Sequence, residues 1–360
     1  MQMTTVKKIS ISVMVRRISL FLILVFTLFT TETNLFGFSG SSESVFRIVF
    51  YNVENLFDTE NNPDKDDDAF TPDGDRRWNW YRLKKKVNNL YKAIVAAGEW
   101  ETPAIIGLCE VENRHVLEML AYETGLKKSE YSIIHRNSAD RRGIDVAVLY
   151  RSVDFMLLDT KFIEINFPFD TTNGTRDIVY LKGVCPPGDT LHVFVNHWPS
   201  RWGGQAATEP HRIYTASLLR SMTDSIFMAY PGANIVIMGD FNDEPDDISL
   251  SKSLGAEQDY GNPEQGILYN ISGYLKENGH GSLKFQGTWY LFDQFIVSGT
   301  LLNGAAGVQT SLKDVKVFSA GFLMLPDESW FGHKPFRTYE GFRHTGGFSD
   351  HFPVVLDLLY

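Results

Sequence analysis

Asn52, Glu110, Asn196, His197, Asp240, Asn242, Asp293 and His351 each stand at or just beyond one end of a short apolar run. Carboxylates and amides supply hard oxygen ligands, and imidazoles move protons near neutral pH. Asn52-Val53-Glu54 follows Ile48–Tyr51, and strand alternation points Asn52 and Glu54 to one side. Glu110 directly follows Ile105–Cys109, where a carboxylate is costly unless paired or bound to a metal. Asn196-His197 ends Val193-Phe194-Val195, and Arg201 lies four residues beyond His197. An imidazole there could protonate a leaving oxygen, or be a hydrogen-bonded core histidine. Gly239-Asp240-Phe241-Asn242 follows Ile235–Met238. Gly239 permits close backbone approach, and the alternating Asp240 and Asn242 can face one point. That carboxylate could orient or deprotonate water while the amide donates to a phosphoryl oxygen. Asp293 lies among aromatics, and Ser349-Asp350-His351 precedes an apolar run. His351 is a natural partner for Asp293 or Asp240, because a carboxylate on one ring nitrogen fixes the tautomer.

The elements that must position these groups are strands and amphipathic helices. Runs at Phe46–Tyr51, Ala104–Leu108, Val146–Tyr150, Val179–Val184, Leu191–Val195, Ile235–Met238, Phe295–Val297 and Val354–Leu358 have strand character. Many are apolar on both faces, as in a covered sheet. Trp80–Ala97 and Glu209–Phe227 carry apolar residues at helical spacing, the second with Pro210 near its first turn. Val116–Thr124 is a shorter helical segment. Asp58–Asp75 reads as a solvated acidic loop; Ala69 stands where a calcium loop needs glycine.

In order, these groups run Asn, Glu, Asn-His, Gly-Asp-x-Asn, Asp and Ser-Asp-His. This order resembles the endonuclease/exonuclease/phosphatase family over nearly the whole chain from Phe46. Gly239-Asp240-Phe241-Asn242 and Ser349-Asp350-His351 are the most specific motifs, and Asn52–Asp58 is similar to the branch of bacterial extracellular nucleases. The resemblance implies an α/β (α+β) fold, a four-layer α/β/β/α sandwich of two mostly antiparallel sheets flanked by helices. It implies a metal-dependent phosphoric ester hydrolase, an endonuclease on DNA or RNA or else a phosphodiesterase of lipid head groups or small phosphoesters. Glu110 would be the principal Mg2+ ligand (Mn2+ or Ca2+ could substitute), helped by Asn52 and Glu54, with Asp350 at a second metal. Asp240 would hold or activate water, and Asn242, Asn196 and Arg201 would meet the phosphate. His197 and His351, the latter oriented by Asp293, would be the two imidazoles. Which of His197, His351 and Asp240 is the base stays open. Gln294 departs from the tyrosine many relatives carry, which affects packing more than chemistry.

The chain has 360 residues and a net charge of −10. An acidic body argues against tight, non-specific coating of DNA but not against an enzyme that meets phosphate through a metal ion. Basic Lys7–Arg17 followed by apolar Ile18–Phe29 reads as an export signal within residues 1–40, leaving 41–360 as one catalytic domain. The sequence implies no stable protein partner, and a monomer is expected. Cys109 and Cys185 read as buried thiols, with one bridge between them as the alternative. His333, Lys334, Arg337, Arg343 and His344 make a basic stretch just before His351, with Trp330 and Phe331 beside it. That stretch could attract a phosphate, and the two aromatics could stack on bases, enter a membrane or anchor their loop.

Overall fold

The computed structural model describes residues 44–360 except Trp100, Asn173, Ala305 and Ala306, so the expected export signal lies outside the described residues. In chain order the strands of the two main sheets are β1 (Val45–Leu56), β2 (Ile105–Val111), β3 (Tyr131–His135), β4 (Asp145–Arg151), β5 (Met156–Ile163), β6 (Ile178–Cys185), β7 (Asp189–His197), β8 (Asn234–Asp240), β9 (Ala256–Glu257), β10 (Leu268–Tyr269), β11 (Asp293–Ser298), β12 (Val315–Val317) and β13 (Val354–Leu359). The principal helices are α1 (Trp80–Gly98), α2 (Arg114–Tyr122) and α3 (Gln205–Ala229). Asn79 and Asn113 cap α1 and α2 by accepting from the N–H groups of Arg82 and Val116. The third helix starts four residues before its expected beginning, which places Pro210 in its second turn.

One sheet has the order β12-β13-β1-β2-β4-β3 and the other β5-β6-β7-β8-β11-β10-β9. Neighbours are mostly antiparallel, but each sheet has a parallel pair near its centre, β1–β2 and β7–β8. A parallel pair needs a crossover, and α1 and α3 supply the two crossovers. Side chains alternate across the strands. Val236 and Met238 enter the core between the sheets, while Ile235 and Ile237 pack with Ala216, Leu219 and Phe227 of α3. The sheets come close at Gly107, where a Cβ would lie 2.8 Å from Met238 Cε and from Val195 Cγ1. The result is two facing sheets with helices outside them, the sandwich the sequence resemblance implies. Cys109 on β2 and Cys185 on β6 are free, buried thiols in different sheets, so the alternative of a bridge does not hold.

Candidate active site

Strand parity brings three chemical groups of one sheet to the rim of the cleft between the sheets. Val193 and Val195 face inward, so His197 does too; Val236 and Met238 carry Asp240 the same way. Phe295 and Val297 do this for Asp293. In register, His197 and Asp293 sit on either side of Asp240, on adjacent strands. Gly239 is needed in this row, since a Cβ there would lie 2.5 Å from the Asn196 carbonyl oxygen. The opposite sheet supplies Asn52 from β1 and His351 from the approach to β13. Asn52 Nδ2 donates to Asp240 Oδ2 at 3.0 Å, and Ser349 Oγ donates to the Asn52 carbonyl at 2.7 Å. His351 Nδ1 lies 2.6 Å from Asp293 Oδ2. The Nε2 atoms of His197 and His351 lie 3.7 Å and 3.9 Å from Asp240 Oδ2.

Electrostatics give the two imidazoles opposite states. Burial lowers the pKa of His197 well below its ordinary value, and the charges of Arg176, Arg142 and His351 push the same way. Burial also opposes charge on His351, but Asp293 and Asp240 outweigh it and hold that pKa well above its ordinary value. Burial raises Asp240 to about 6; His351 opposes the shift and Asp293 adds to it. The cluster therefore presents a neutral imidazole, an imidazolium and a carboxylate poised near neutral pH, a combination that can accept one proton and donate another.

Asp240, Asp293 and His351 place one ligand atom each within 4.8 Å of one another, as do Cys109, His197 and Asp240. Burial and the nearby carboxylates of Asp240, Glu110 and Asp293 push the Cys109 thiol far up, and its soft sulfur suits thiophilic metals rather than a hard cation. What remains is rich in oxygen, and Asp293 Oδ1 is buried without a hydrogen-bond partner. Such a donor set fits a hard divalent cation. Glu110 stands at the same sheet end with a partly exposed carboxylate that accepts from Asn55 N–H at 2.9 Å.

The sequence model of the endonuclease/exonuclease/phosphatase family matches residues 47–359. The chain belongs to that family. Members of the endonuclease/exonuclease/phosphatase family are divalent-metal-dependent phosphoric ester hydrolases, and the chain is an enzyme that hydrolyses phosphodiester or phosphoester bonds. No curated protein matches it in sequence. Among solved structures, humanized D. rerio TDP2 is similar at 15% identity with a TM-score of 0.53, covering 87% of this chain and 98% of its own. D. rerio TDP2 complexed with single-strand DNA product is similar at 16% identity and a TM-score of 0.50, covering 88% of this chain and 99% of its own. The mannosyl-6-phosphatase of Bacteroides thetaiotaomicron shares 16% identity with a TM-score of 0.52, covering 88% of this chain and 100% of its own. At these identities the likeness is one of fold.

Several residues expected at the site lie elsewhere or are already engaged. Asn196 faces the helix layer with Phe194, and its amide is spent on the Met238 carbonyl and the Trp198 indole. It does not share the inward direction of its neighbour His197. Glu54 turns away because β1 bulges between Asn52 and Leu56, with Glu54 at φ 49°. Its carboxylate accepts from Thr338 N–H at 2.6 Å and pairs with Arg337 and Lys86. Asp350 is likewise held by Arg337 at 2.9 Å. Arg201 binds Asp243 and Asp247 and the Asn242 carbonyl rather than facing the cleft. Asn242, at φ 51°, donates its side-chain amide to the Trp198 carbonyl and its N–H to Asp240 Oδ1. The acidic loop is not simply solvated: Asp67 is buried and accepts from Asn62 N–H. Lys86 was not anticipated, yet it had a signal. It lies on the apolar stripe of α1 beside Leu83, Val87 and Leu90, fully buried, with its pKa pushed down to about 8 by burial.

Proposed function

We propose that the chain is an exported, Mg2+-dependent phosphodiesterase that acts on DNA or RNA. The observation that carries this reading is the Asp240 carboxylate set between two imidazoles, with Asp293 behind one of them. Glu110 and Asn52 would hold the ion, which when bound would polarise the phosphoryl group and neutralise its charge. Asp240, raised toward neutrality, would take the proton of the attacking water. His351, kept charged by Asp293, would face the developing negative charge of the phosphoryl oxygens. His197 enters neutral, and its Nε2 beside Asp240 would pass a proton to or from the reacting oxygens. Asn52 would fix Asp240 through the 3.0 Å hydrogen bond. The complex of D. rerio TDP2 with single-strand DNA product favours a nucleic-acid substrate. Export rests on the basic and then apolar order of Lys7–Phe29.

A second reading, a lipid head-group phosphodiesterase, draws support from the hairpin formed by Met324–Pro326 and His333–Pro335. Its connecting loop carries Trp330, 52% exposed, and Phe331, 99% exposed, rather than burying them as anchors. The test is a hydrolysis panel with purified protein and Mg2+: plasmid DNA, RNA, sphingomyelin vesicles, inositol phosphates and bis-p-nitrophenyl phosphate. Cleavage of nucleic acid and of the chromogenic diester is expected, with both lost in chelator and in Glu110→Ala. Activity confined to vesicles would favour the second reading, and full activity in Glu110→Ala would reject the metal assignment.

A further inference from the structure

We propose that the recess beside His197, bounded by Arg142, Ser200 and Trp202, holds the nucleotide next to the scissile phosphate. The neighbouring phosphate lies on Arg142 and its base lies against Trp202. This rests on the phosphodiesterase reading and makes a polynucleotide the preferred substrate.

The recess is an open surface concavity of about 780 Å³. It adjoins the chemistry, because Pro199 and Ser200 follow the His197-Trp198 pair directly. Arg176, which also lines it, donates to the Trp198 carbonyl. Arg142 is near enough for its charge to help keep His197 neutral.

The cations of the recess are not equally committed. Arg141 pairs with Asp66 at 2.8 Å, Arg176 with Asp140 at 3.0 Å, and His211 with Asp170 at 3.1 Å. Among the described residues Arg142 approaches only Asp140, at 3.7 Å, and that carboxylate already accepts from Arg176 and from the Arg142 N–H. Its side chain is 46% exposed. A guanidinium so placed retains the fork of donors that grips a phosphate. The turn that carries it is fixed beforehand: Lys65 Nζ donates to the Ser138 and Asp140 carbonyls, and Gly143 N–H to the Asp140 carbonyl.

Trp202 is 90% exposed on the turn between β7 and α3. Phe167 and Pro199 extend an apolar wall beside it. A flat indole beside an uncommitted guanidinium suits a base with its phosphate, since bases stack on aromatics without regard to sequence. An acyl chain would instead need a continuous apolar surface, and the recess is interrupted by arginines and aspartates.

The test measures binding and rate separately. A fluorescein-labelled oligothymidylate is titrated in EDTA against the full chain, followed by anisotropy. Trp202→Ala should weaken binding on the order of tenfold. Arg142→Ala should lower the slope of log affinity against log salt by about 0.7, the loss of one phosphate contact on a single strand. In Mg2+, either variant should lower the ratio of kcat/KM on the oligonucleotide to that on bis-p-nitrophenyl phosphate on the order of tenfold. Trp202→Phe and Arg142→Lys should recover part of each loss, which a misfolded variant would not. Wild-type binding and an unchanged ratio in both alanine variants would overturn the proposal, as would a selective loss on sphingomyelin vesicles instead. If the wild type binds the oligonucleotide in this way but hydrolyses no diester, the phosphodiesterase reading fails while the subsite stands.

Discussion

His351 owes its charge to one neighbour more than to any other. Asp293 is completely buried, lies 2.6 Å from Nδ1, and offers the imidazolium the strongest compensation for its burial. Asp293→Asn should therefore bring the His351 pKa down from its raised position. Ring-proton NMR of the metal-free protein reads this directly, and an unshifted titration would contradict it. The same substitution should slow hydrolysis on the order of a hundred- to ten-thousandfold. Arg201 makes the opposite case. Its guanidinium holds Asp243, which is buried, so Arg201→Ala should lower stability by ~1–3 kcal/mol and leave KM within about twofold of wild type. Thermal melting and initial rates decide this; a raised KM at unchanged stability would restore its phosphate-binding role.

At the scale of the element, the eight apolar runs all became strands, because each is long enough to cross the sheet and apolar enough to be covered. Alternation along those strands points His197, Asp240 and Asp293 into the gap between the sheets. In the fold the same alternation turns Asn196, next to His197, toward the helix layer, although the sequence reading set it at the phosphate. What alternation does not carry is a bulge. Glu54, Asn55 and Glu110 all have positive φ, at 49°, 54° and 62°, so period-two reasoning fails where β1 and β2 end. Strand β5 escaped notice because it is largely exposed along its length and Asp159, Thr160 and Lys161 break its apolar residues. Glu112, just past β2, gives an element-scale prediction. Burial raises its pKa to about 8, with Asp58 and Asp67 nearby, so it is protonated in the fold at neutral pH. The unfolded chain loses that proton near its ordinary value, so stability falls as pH climbs from about 4.5 toward 8. Glu112→Gln should keep the acceptor for Asp58 N–H and remove this fall, giving about 1 kcal/mol or more at pH 8 and little at pH 4. Equal effects at both pH values, from urea melts, would count against it.

The whole molecule divides the site between its sheets. One contributes Asn52, Glu110 and His351, the other His197, Asp240 and Asp293, and the Asn52–Asp240 hydrogen bond spans the gap. This convergence was legible as a chain order of polar strand ends, whereas the distances that separate engaged from available groups exist only in the fold. Lys86, Arg337, Glu54 and Asp350 lie far apart in sequence and form one charge network only once α1 packs beside residues 337–350. A bound cation that links both halves should stabilise the native state by mass action. Mg2+ should therefore raise the melting temperature of the wild type but not of Glu110→Ala. The most direct test of the account is the pH dependence of bis-p-nitrophenyl phosphate hydrolysis in Mg2+, measured from about pH 5 to 8 for wild type and Asp240→Asn. With Asp240 as base, kcat/KM of the wild type should rise through about pH 6 as the carboxylate deprotonates. The variant should lose that limb and fall by about a hundred- to ten-thousandfold. An Asp240→Asn protein that keeps the wild-type rate and profile would contradict it.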